Sequence, residues 1–258
     1  MLQQTPVGRV LPAYLSWLDR WPTPAALAAE EPGEAVRAWS RLGYPRRALR
    51  LHAAARAVVE RHSGAVPASY DDLVALPGVG DYTAAAVASF AHQRRHVVLD
   101  TNVRRVLSRV VGGAALPAAA PTVSERRRAE ALVPADGPTA ARWAVASMEL
   151  GALVCTARSP ACERCPITSR CTWRRAGYPP GDGTRRVQRY EGTDRQARGR
   201  LLQALRDSAA PLPAAELDKT WPDPLQRARA LDTLVSDGLV EPLKGNRYRL
   251  PSTTPPLT

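Results

Sequence analysis

The chain has 258 residues, of which 45% are hydrophobic, enough to bury one sizeable core and a small second domain. Its net charge of +12 and pI near 10.4 exclude a typical enzyme of small-acid metabolism and predict a polyanionic partner. Residues 1–190 hold 26 Lys+Arg against 15 Asp+Glu, whereas residues 191–258 hold ten against nine. We therefore expect the polyanion to bind the first part of the chain.

The sequence shows no signal for a membrane or for export. No apolar run approaches the roughly 20 residues that cross a bilayer. The first residues also lack the charged and then apolar pattern of a signal peptide. We therefore expect a cytoplasmic location and no membrane partner.

Apolar residues recur at helical spacing throughout the first 150 residues, and no alternating strand pattern competes with them. Thr23 before Pro24, and Ser69 three places before Asp72, are typical of helix starts. These patterns predict an all-α domain over residues 1–175, built from nine or ten short helices.

The remaining sequence predicts a linker and a small domain. Residues 176–193 are rich in Gly, Pro and Arg, which favours a linker. Residues 194–252 show two helical patterns and then two short strands, which would pair across the turn dipeptide Gly245-Asn246. This order indicates a winged-helix-like domain, and residues 253–258 are expected to be disordered.

Four cysteines lie close together near the end of the first domain. Their spacing is C-x6-C-x2-C-x5-C, formed by Cys155, Cys162, Cys165 and Cys171. Because a disulfide framework would spread cysteines along the chain, this cluster predicts a metal site. Four thiolates can hold either a tetrahedral zinc ion or a four-iron, four-sulfur cluster, and the spacing alone does not decide between them. In either case we expect the loop to be structural.

A glycine-rich turn separates two predicted helices at Gly78-Val79-Gly80. Two glycines allow backbone N–H groups to point outward at a helix N-terminus, which is a phosphate-binding arrangement. The alternative is an ordinary turn between helices. Together with the basic charge, the pattern favours sequence-independent binding to a nucleic-acid backbone.

Asp100 ends an apolar run and opens a predicted helix. It is either a helix N-cap or a partly desolvated carboxylate that stabilises a positive charge such as an oxocarbenium ion, and the two roles are compatible. Asn102 is likewise either a polar residue of the first helical turn or a contact to a backbone phosphate.

These segments stand in the order found in MutY-type adenine DNA glycosylases of the helix-hairpin-helix superfamily, which residues 1–175 resemble. The resemblance rests on Met-Leu-Gln-Gln-Thr at residues 1–5, Leu-Gly-Tyr at 42–44, the hairpin, Leu-Asp at 99–100, Met-Glu-Leu-Gly-Ala at 148–152 and the cysteine spacing. It implies a base-excision-repair enzyme that flips adenine, mispaired with 8-oxoguanine or guanine, out of double-stranded DNA. It also favours the 4Fe-4S cluster over zinc, and we expect a monomer.

The resemblance assigns Asp100 as the catalytic aspartate. Gln3, Gln4 and Thr5 match the segment that inserts into the duplex and touches the base opposite the adenine. In the family, this catalytic carboxylate stabilises the oxocarbenium-like transition state as adenine leaves.

Further DNA contacts follow from the same resemblance. Leu42 and Tyr44, with Arg47 close by, match residues wedged near the opposite base, although ordinary core packing is the alternative for Leu42 and Tyr44. Residues 78–80 match the phosphate-binding hairpin, and Asn102 accompanies them as a DNA contact.

Tyr82 occupies the position at which bifunctional relatives resembling endonuclease III carry a lysine that forms a Schiff base with the sugar. A phenol cannot form that bond, and no lysine precedes Lys219. The resemblance therefore implies a monofunctional glycosylase that leaves an intact abasic site.

The sequence departs from the family in three places. The family's general acid is a glutamate two residues before the Met-Leu-Gln-Gln-Thr motif. The sequence begins at this motif, and we expect the natural chain to extend upstream. Ala144-Val145 replace a polar pair that helps to read adenine. The C-terminal domain is also too short for the Nudix-like module that recognises 8-oxoguanine.

Three alternatives remain from the sequence. One is a thymine or pyrimidine-damage glycosylase of the same superfamily, against which the segment Gln3-Gln4-Thr5 argues. Another is a catalytically inert protein that binds mismatches. A winged-helix transcription factor is disfavoured, because the basic charge lies in the first domain.

Overall fold

The computed structural model describes residues 1–3, 5–181 and 190–252. Gln4, residues 182–189 of the predicted linker and the predicted disordered tail lie outside these residues. The chain forms two compact units. The first unit comprises Met1–Pro67, Leu76–Gly78 and Val187–Thr258, and the second comprises Ala68–Ala75 and Val79–Arg186.

The described residues are predominantly helical, which confirms the predicted fold class. The helices are α1 (Val7–Arg20), α2 (Pro24–Ala28), α3 (Pro32–Trp39), α4 (Arg46–His62), α5 (Tyr70–Val74), α6 (Asp81–Phe90), α7 (Thr101–Val110), α8 (Val123–Leu132), α9 (Gly137–Glu149), α10 (Thr172–Arg175), α11 (Asp194–Asp207), α12 (Ala214–Asp218) and α13 (Pro224–Ser236). A π-helical turn, Leu150–Val154, follows α9. Within the described ranges, none of these helices is long and apolar enough to cross a membrane.

The predicted helix starts are confirmed by their capping hydrogen bonds. The Thr23 hydroxyl accepts from the Ala26 backbone N–H at 3.1 Å, and the Ser69 hydroxyl accepts from the Asp72 N–H at 3.1 Å. Each bond satisfies a donor that the first turn of a helix would otherwise leave unpaired. Local sequence therefore determines where α2 and α5 begin.

The first unit has a core rich in tryptophan. Trp17 packs edge-to-face against Trp21 and Trp39, with ring centroids 4.8 and 5.7 Å apart. The same core includes Leu201 of α11 and Leu234 of α13, both fully buried. Helices from both ends of the chain therefore share one apolar cluster. The predicted division into an N-terminal and a C-terminal domain stays a prediction about independent folding.

The C-terminal part of the first unit contains the predicted hairpin. Strand β2 (Glu241–Leu243) pairs antiparallel with β3 (Arg247–Arg249), and Gly245 and Asn246 form the turn at φ of 77° and 53°. A further short strand, β1 (Leu212–Pro213), pairs with β3 on its other side, which gives the order β1-β3-β2. The sequence analysis did not predict β1, because a two-residue strand has no detectable alternation.

The second unit is built mainly on small side chains. Ala84 and Ala88 of α6 and Ala144 of α9 have no exposed surface, and Val103 of α7 is equally buried. Small residues let helix backbones approach closely. This close packing brings the first turn of α7 against the turn that follows α9 and holds the candidate site.

Candidate active site and cysteine loop

Asp100 is the N-cap of α7. Its Oδ1 accepts from the Val103 backbone N–H at 2.6 Å, and its Oδ2 accepts from Asn102 Nδ2 at 2.8 Å. The capping role is therefore confirmed, and both carboxylate oxygens are held in place at a partly buried position. A fixed carboxylate at the edge of a core is suited to stabilising a cation that develops beside it.

Arg105 connects this carboxylate to the cysteine loop, residues 155–171. Its Nη2 donates to Asn102 Oδ1 at 2.8 Å and to the Gly151 carbonyl at 2.5 Å, and its Nε donates to the Cys155 carbonyl at 2.7 Å. Burial lowers the pKa of Arg105 from its ordinary value, opposed by the nearby Cys155 and Asp100. The sequence analysis did not single out Arg105, since its partner lies 50 residues away.

Gly151 allows α7 to approach the turn after α9. A Cβ at this position would lie 2.7 Å from both the Cβ and the carbonyl oxygen of Asn102. Real Cβ atoms do not come so close to a backbone oxygen, so a side chain here would displace Asn102. The glycine therefore sets the position of the residue that holds Asp100.

Tyr82, the second residue of α6, is 40% exposed. Burial of part of its ring raises the pKa of the phenol above 10, and the negative charge of Asp100 raises it further. The side chain is therefore a neutral phenol at physiological pH. Asp100 is therefore close enough to act electrostatically on Tyr82, the residue that the resemblance places at the lysine position of bifunctional relatives.

All four cysteines line one cavity, together with Arg109 and Trp173. Among the described residues, no group of three or more His, Cys, Asp or Glu side chains is arranged to hold a single metal ion. Four thiols around one cavity are the donor set of a 4Fe-4S cluster. The residues present therefore fit such a cluster.

Arg109 forms the base of the cysteine loop and is only 2% exposed. Its guanidinium donates to the carbonyls of Thr156 and Ala157 at 2.7 and 3.1 Å and lies 3.3 Å from Cys155 Sγ. Its Cζ is 4.6 Å from the ring centroid of Trp173, a cation–π contact. This cation fixes the start of the loop and stabilises a thiolate beside it.

In the first unit, Arg47 ties the N-terminal segment to the turn at residues 43–45, hereafter the tyrosine turn. Its guanidinium donates to the Gln3 carbonyl, to Thr5 Oγ1 at 2.9 Å and to the Gly43 carbonyl at 3.2 Å. Burial lowers the pKa of Arg47 from its ordinary value. The predicted DNA-contact residue therefore binds this protein's own backbone.

The two predicted wedge residues differ in burial: Tyr44 lies in the tyrosine turn, and Leu42 directly precedes it. Leu42 is 6% exposed and belongs to the core, whereas Tyr44 is 53% exposed. Gly43 and Tyr44 have φ of 79° and 48°. The left-handed region is uncommon for a tyrosine, and such strain is concentrated at functional sites. Core packing therefore accounts for Leu42 but not for Tyr44.

The two glycines of the hairpin have different surroundings. Gly78 has φ of 77°, and a Cβ there would lie 2.6 Å from Arg50 Cβ. A Cβ on Gly80 would meet no atom within 4 Å. Gly80 is the residue before α6, so the backbone at this helix N-terminus is open to a ligand such as phosphate.

Comparison with known proteins identifies the class. Residues 1–130 match the model of the HhH-GPD superfamily base excision DNA repair proteins, and residues 155–171 match the iron–sulfur binding domain of endonuclease III. The fold and the cysteine loop therefore define a helix-hairpin-helix DNA glycosylase that binds a 4Fe-4S cluster, and the four cysteines that line the cavity are the residues that would hold it.

Comparison with curated relatives shows which family within this superfamily the chain belongs to. The adenine DNA glycosylase of Mycolicibacterium smegmatis is 54% identical over 251 residues, covering 97% of this chain and 84% of the relative. That of Mycobacterium tuberculosis is 52% identical over 255 residues, covering 97% and 83%. The human adenine DNA glycosylase is 42% identical over 172 residues, covering 66% and 31%. The chain belongs to the adenine DNA glycosylase family.

Solved structures agree with the fold. A thermostable thymine-DNA glycosylase superposes with a TM-score of 0.61 at 27% identity, covering 68% of this chain and 80% of that one. An endonuclease III trapped on DNA superposes with a TM-score of 0.59 at 22% identity, covering 68% and 81%. The latter similarity concerns the fold alone.

Proposed function

We propose that this enzyme removes adenine mispaired with 8-oxoguanine or guanine from double-stranded DNA. The carrying observation is Asp100, whose carboxylate is held by two hydrogen bonds and whose negative charge adds to burial in raising the pKa of the Tyr82 phenol. The curated relatives are adenine glycosylases at 52–54% identity, whereas the thymine glycosylase among the solved structures is 27% identical. This difference supports adenine as the base released.

In the proposed reaction, the adenine is flipped out of the duplex and its N-glycosidic bond is hydrolysed. Asp100 stabilises the oxocarbenium-like sugar as the bond to adenine breaks. Asn102 and Arg105 position Asp100 through the chain of hydrogen bonds described above. The cysteines at 155, 162, 165 and 171 hold the cluster, which gives the loop its structure.

We further propose that the enzyme is monofunctional. Tyr82 stands where a Schiff-base lysine would be needed, and residues 1–218 contain no lysine. The raised pKa of Tyr82 also keeps this side chain from acting as an anionic nucleophile near neutral pH. The product is therefore an intact abasic site.

DNA contacts are proposed for both units. Gly80 and the hairpin bind a backbone phosphate through N–H groups, and Tyr44 stands beside the base opposite the flipped adenine. The basic charge supports this binding. We propose that the enzyme acts as a monomer in the cytoplasm.

A duplex cleavage assay tests this function. Labelled duplexes with A:8-oxoguanine, A:G, A:T and G:T pairs are incubated with the natural full-length chain, and one half of each sample is then treated with alkali while the other half is kept unheated at neutral pH. We expect strand breaks at A:8-oxoguanine and A:G only after alkali, and no covalent adduct in the presence of borohydride. Breaks without alkali, or efficient trapping, would contradict the monofunctional mechanism. Binding without any alkali-labile product would contradict the glycosylase activity.

A further inference from the structure

We propose that Arg195, on helix α11 in the C-terminal part of the chain, acts with Tyr44 to recognise a guanine-type base opposite the excised adenine. The inference rests on the proposed function and adds a specificity-determining residue to it. It also assigns a role in DNA recognition to a region in which basic and acidic residues are nearly balanced.

The tyrosine turn and the start of α11 meet within the first unit. Arg195 Cζ lies 5.5 Å from the ring centroid of Tyr44 and 5.8 Å from that of Tyr190. Both tyrosines are 53% exposed, and Arg195 is itself exposed. An arginine between two exposed rings is restricted in its conformations, so less freedom is lost when its donors bind a ligand.

Two other arginines of α11 bind groups of the protein itself. Arg198 donates to Asp237 at 2.5 Å, and Arg206 donates to the Val36 carbonyl at 2.9 Å. For Arg195, the contacts found in the described ranges are those with the two rings. A ring contact uses the face of the guanidinium and leaves its N–H groups at the edge available to a ligand.

The tyrosine turn holds its ring rigidly beside Arg195. Tyr44 adopts φ of 48° directly after Gly43, and Pro45 restricts the backbone of the preceding Tyr44. Arg47 holds the Gly43 carbonyl from α4, and its own Cζ lies 5.4 Å from the Tyr44 centroid. The ring is therefore a fixed surface for stacking. The guanidinium of Arg47, which is hydrogen-bonded within the protein, and the accessible guanidinium of Arg195 both lie near it.

The chemistry of this pair selects among opposite bases. Guanine presents O6 and N7 as two neighbouring acceptors, which match the two parallel donors of an arginine. 8-Oxoguanine keeps O6 as an acceptor, but its N7 carries a hydrogen and is a donor, so the guanidinium finds only O6 of this pair. Cytosine presents an amino donor in the same groove, which repels the guanidinium. Arg195 therefore favours A:G over A:C through two acceptors, and A:8-oxoguanine over A:C through O6 alone.

The test measures adenine excision under single-turnover conditions, together with binding, on duplexes that differ only in the opposite base: guanine, 8-oxoguanine or cytosine. A good bidentate contact discriminates between bases by about 5- to 150-fold. We expect Arg195→Ala to reduce the preference for A:G over A:C by at least about fivefold. Arg195→Lys keeps the charge without the planar fork and should restore only part of the preference.

Arg200→Ala is the matched control, because Arg200 is exposed on the same helix but lies five residues, or about 140°, around it. This variant should leave the preference unchanged. Tyr44→Ala combined with Arg195→Ala should reduce the preference by less than the product of the two single effects, since the residues act together.

Two outcomes would overturn the role of Arg195. If Arg195→Ala weakens binding equally on all three duplexes and lowers the salt dependence, Arg195 contacts a phosphate instead. If neither binding nor excision changes, the contact with Tyr44 only packs the helix. A parent enzyme that excises no adenine from any duplex would contradict the proposed function, whereas the ratio of binding affinities would still report on Arg195.

Discussion

Arg109 and Arg195 show how differently the two units use the same side chain. Arg109 is 2% exposed, and its guanidinium serves backbone carbonyls, a cysteine sulfur and the face of Trp173. Arg195 is exposed and contacts two tyrosine rings that are themselves exposed. Arg109 stabilises the cysteine loop, whereas Arg195 is available to a ligand.

This difference refines what the net charge of +12 means. Arg105, Arg109 and Arg47 contribute to that charge, but their donors are committed to carbonyls and side chains of the protein. These hydrogen bonds stabilise the scaffold, and the role of Arg47 as a DNA contact stays a prediction. The charge available for binding DNA is therefore smaller than the sequence suggests, and burial decides which arginines supply it.

The largest expected effect follows from removing Arg109. Arg109→Ala would remove hydrogen bonds to the partly buried carbonyls of the loop, at about 0.5–1.5 kcal/mol each, and would remove the cation beside Cys155. We expect loss of most of the bound iron and unfolding at a clearly lower temperature. Iron analysis and the visible absorbance of the cluster measure this directly. Arg158→Ala, an exposed arginine on the same loop, is the control and should keep its iron.

The next largest effect, on stability and on adenine excision, is expected at Gly151, where the second unit is tightly packed. Gly151→Ala would force its Cβ against Asn102, and we expect a loss of about 1–3 kcal/mol in stability. Adenine excision should decrease further, because Asn102 holds Asp100. Denaturant unfolding and single-turnover rates measure the two effects. Gly8→Ala, where nothing lies within 4 Å in helix α1, should be neutral or slightly stabilising; equal damage from both substitutions would contradict the packing argument.

The first unit should respond to pH through His52 on α4. This histidine is 1% exposed, and burial lowers its pKa below 6.5, although a hydrogen bond to the Glu30 carbonyl opposes the shift. Its Nδ1 has no partner in the described structure. The unfolded chain therefore binds a proton near pH 6.5 while the folded chain resists it, so stability should decrease as the pH falls below about 6.5.

Urea unfolding at pH 7.5 and 5.5 measures this dependence. His52→Gln keeps a donor for the Glu30 carbonyl but does not titrate, and its stability should change less between the two values. A difference between parent and variant that stays constant with pH would show that His52 does not carry the effect.

The smallest expected effect is the change in stability when Arg195 is replaced. Arg195→Ala should change the free energy of unfolding by less than about 0.5 kcal/mol, because exposed side chains contribute little to stability. Thermal unfolding measures the change. A loss comparable with that of Arg109→Ala would mean that Arg195 is structural and would remove the contrast between the units.

Local signals explain what the sequence could predict. The cap at Asp100, the hairpin turn at Gly245-Asn246 and the cysteine loop each depend on residues near one another in the chain. The links between distant segments were not visible. Arg105 meets Cys155 across 50 residues, and Leu201 joins a core with Trp17. Such contacts follow from tertiary packing, which periodicity does not encode.

The two predicted wedge residues show the same limit of prediction from sequence, although they lie within three positions of each other. Leu42 and Tyr44 both belong to one short motif, yet one is buried and the other is exposed. The difference arises from positive φ at Gly43 and Tyr44, which turns the chain between them. A hydrophobicity pattern does not report this backbone conformation, so the sequence left both alternatives open.

The most direct test of the account is the release of free adenine from an A:G duplex by the parent enzyme and by Asp100→Asn. The amide keeps the size of the side chain but removes the negative charge that stabilises the sugar cation. We expect adenine release by the parent and a loss of at least about 100-fold in the variant, with DNA binding retained. Equal release by both proteins would contradict the central role of Asp100.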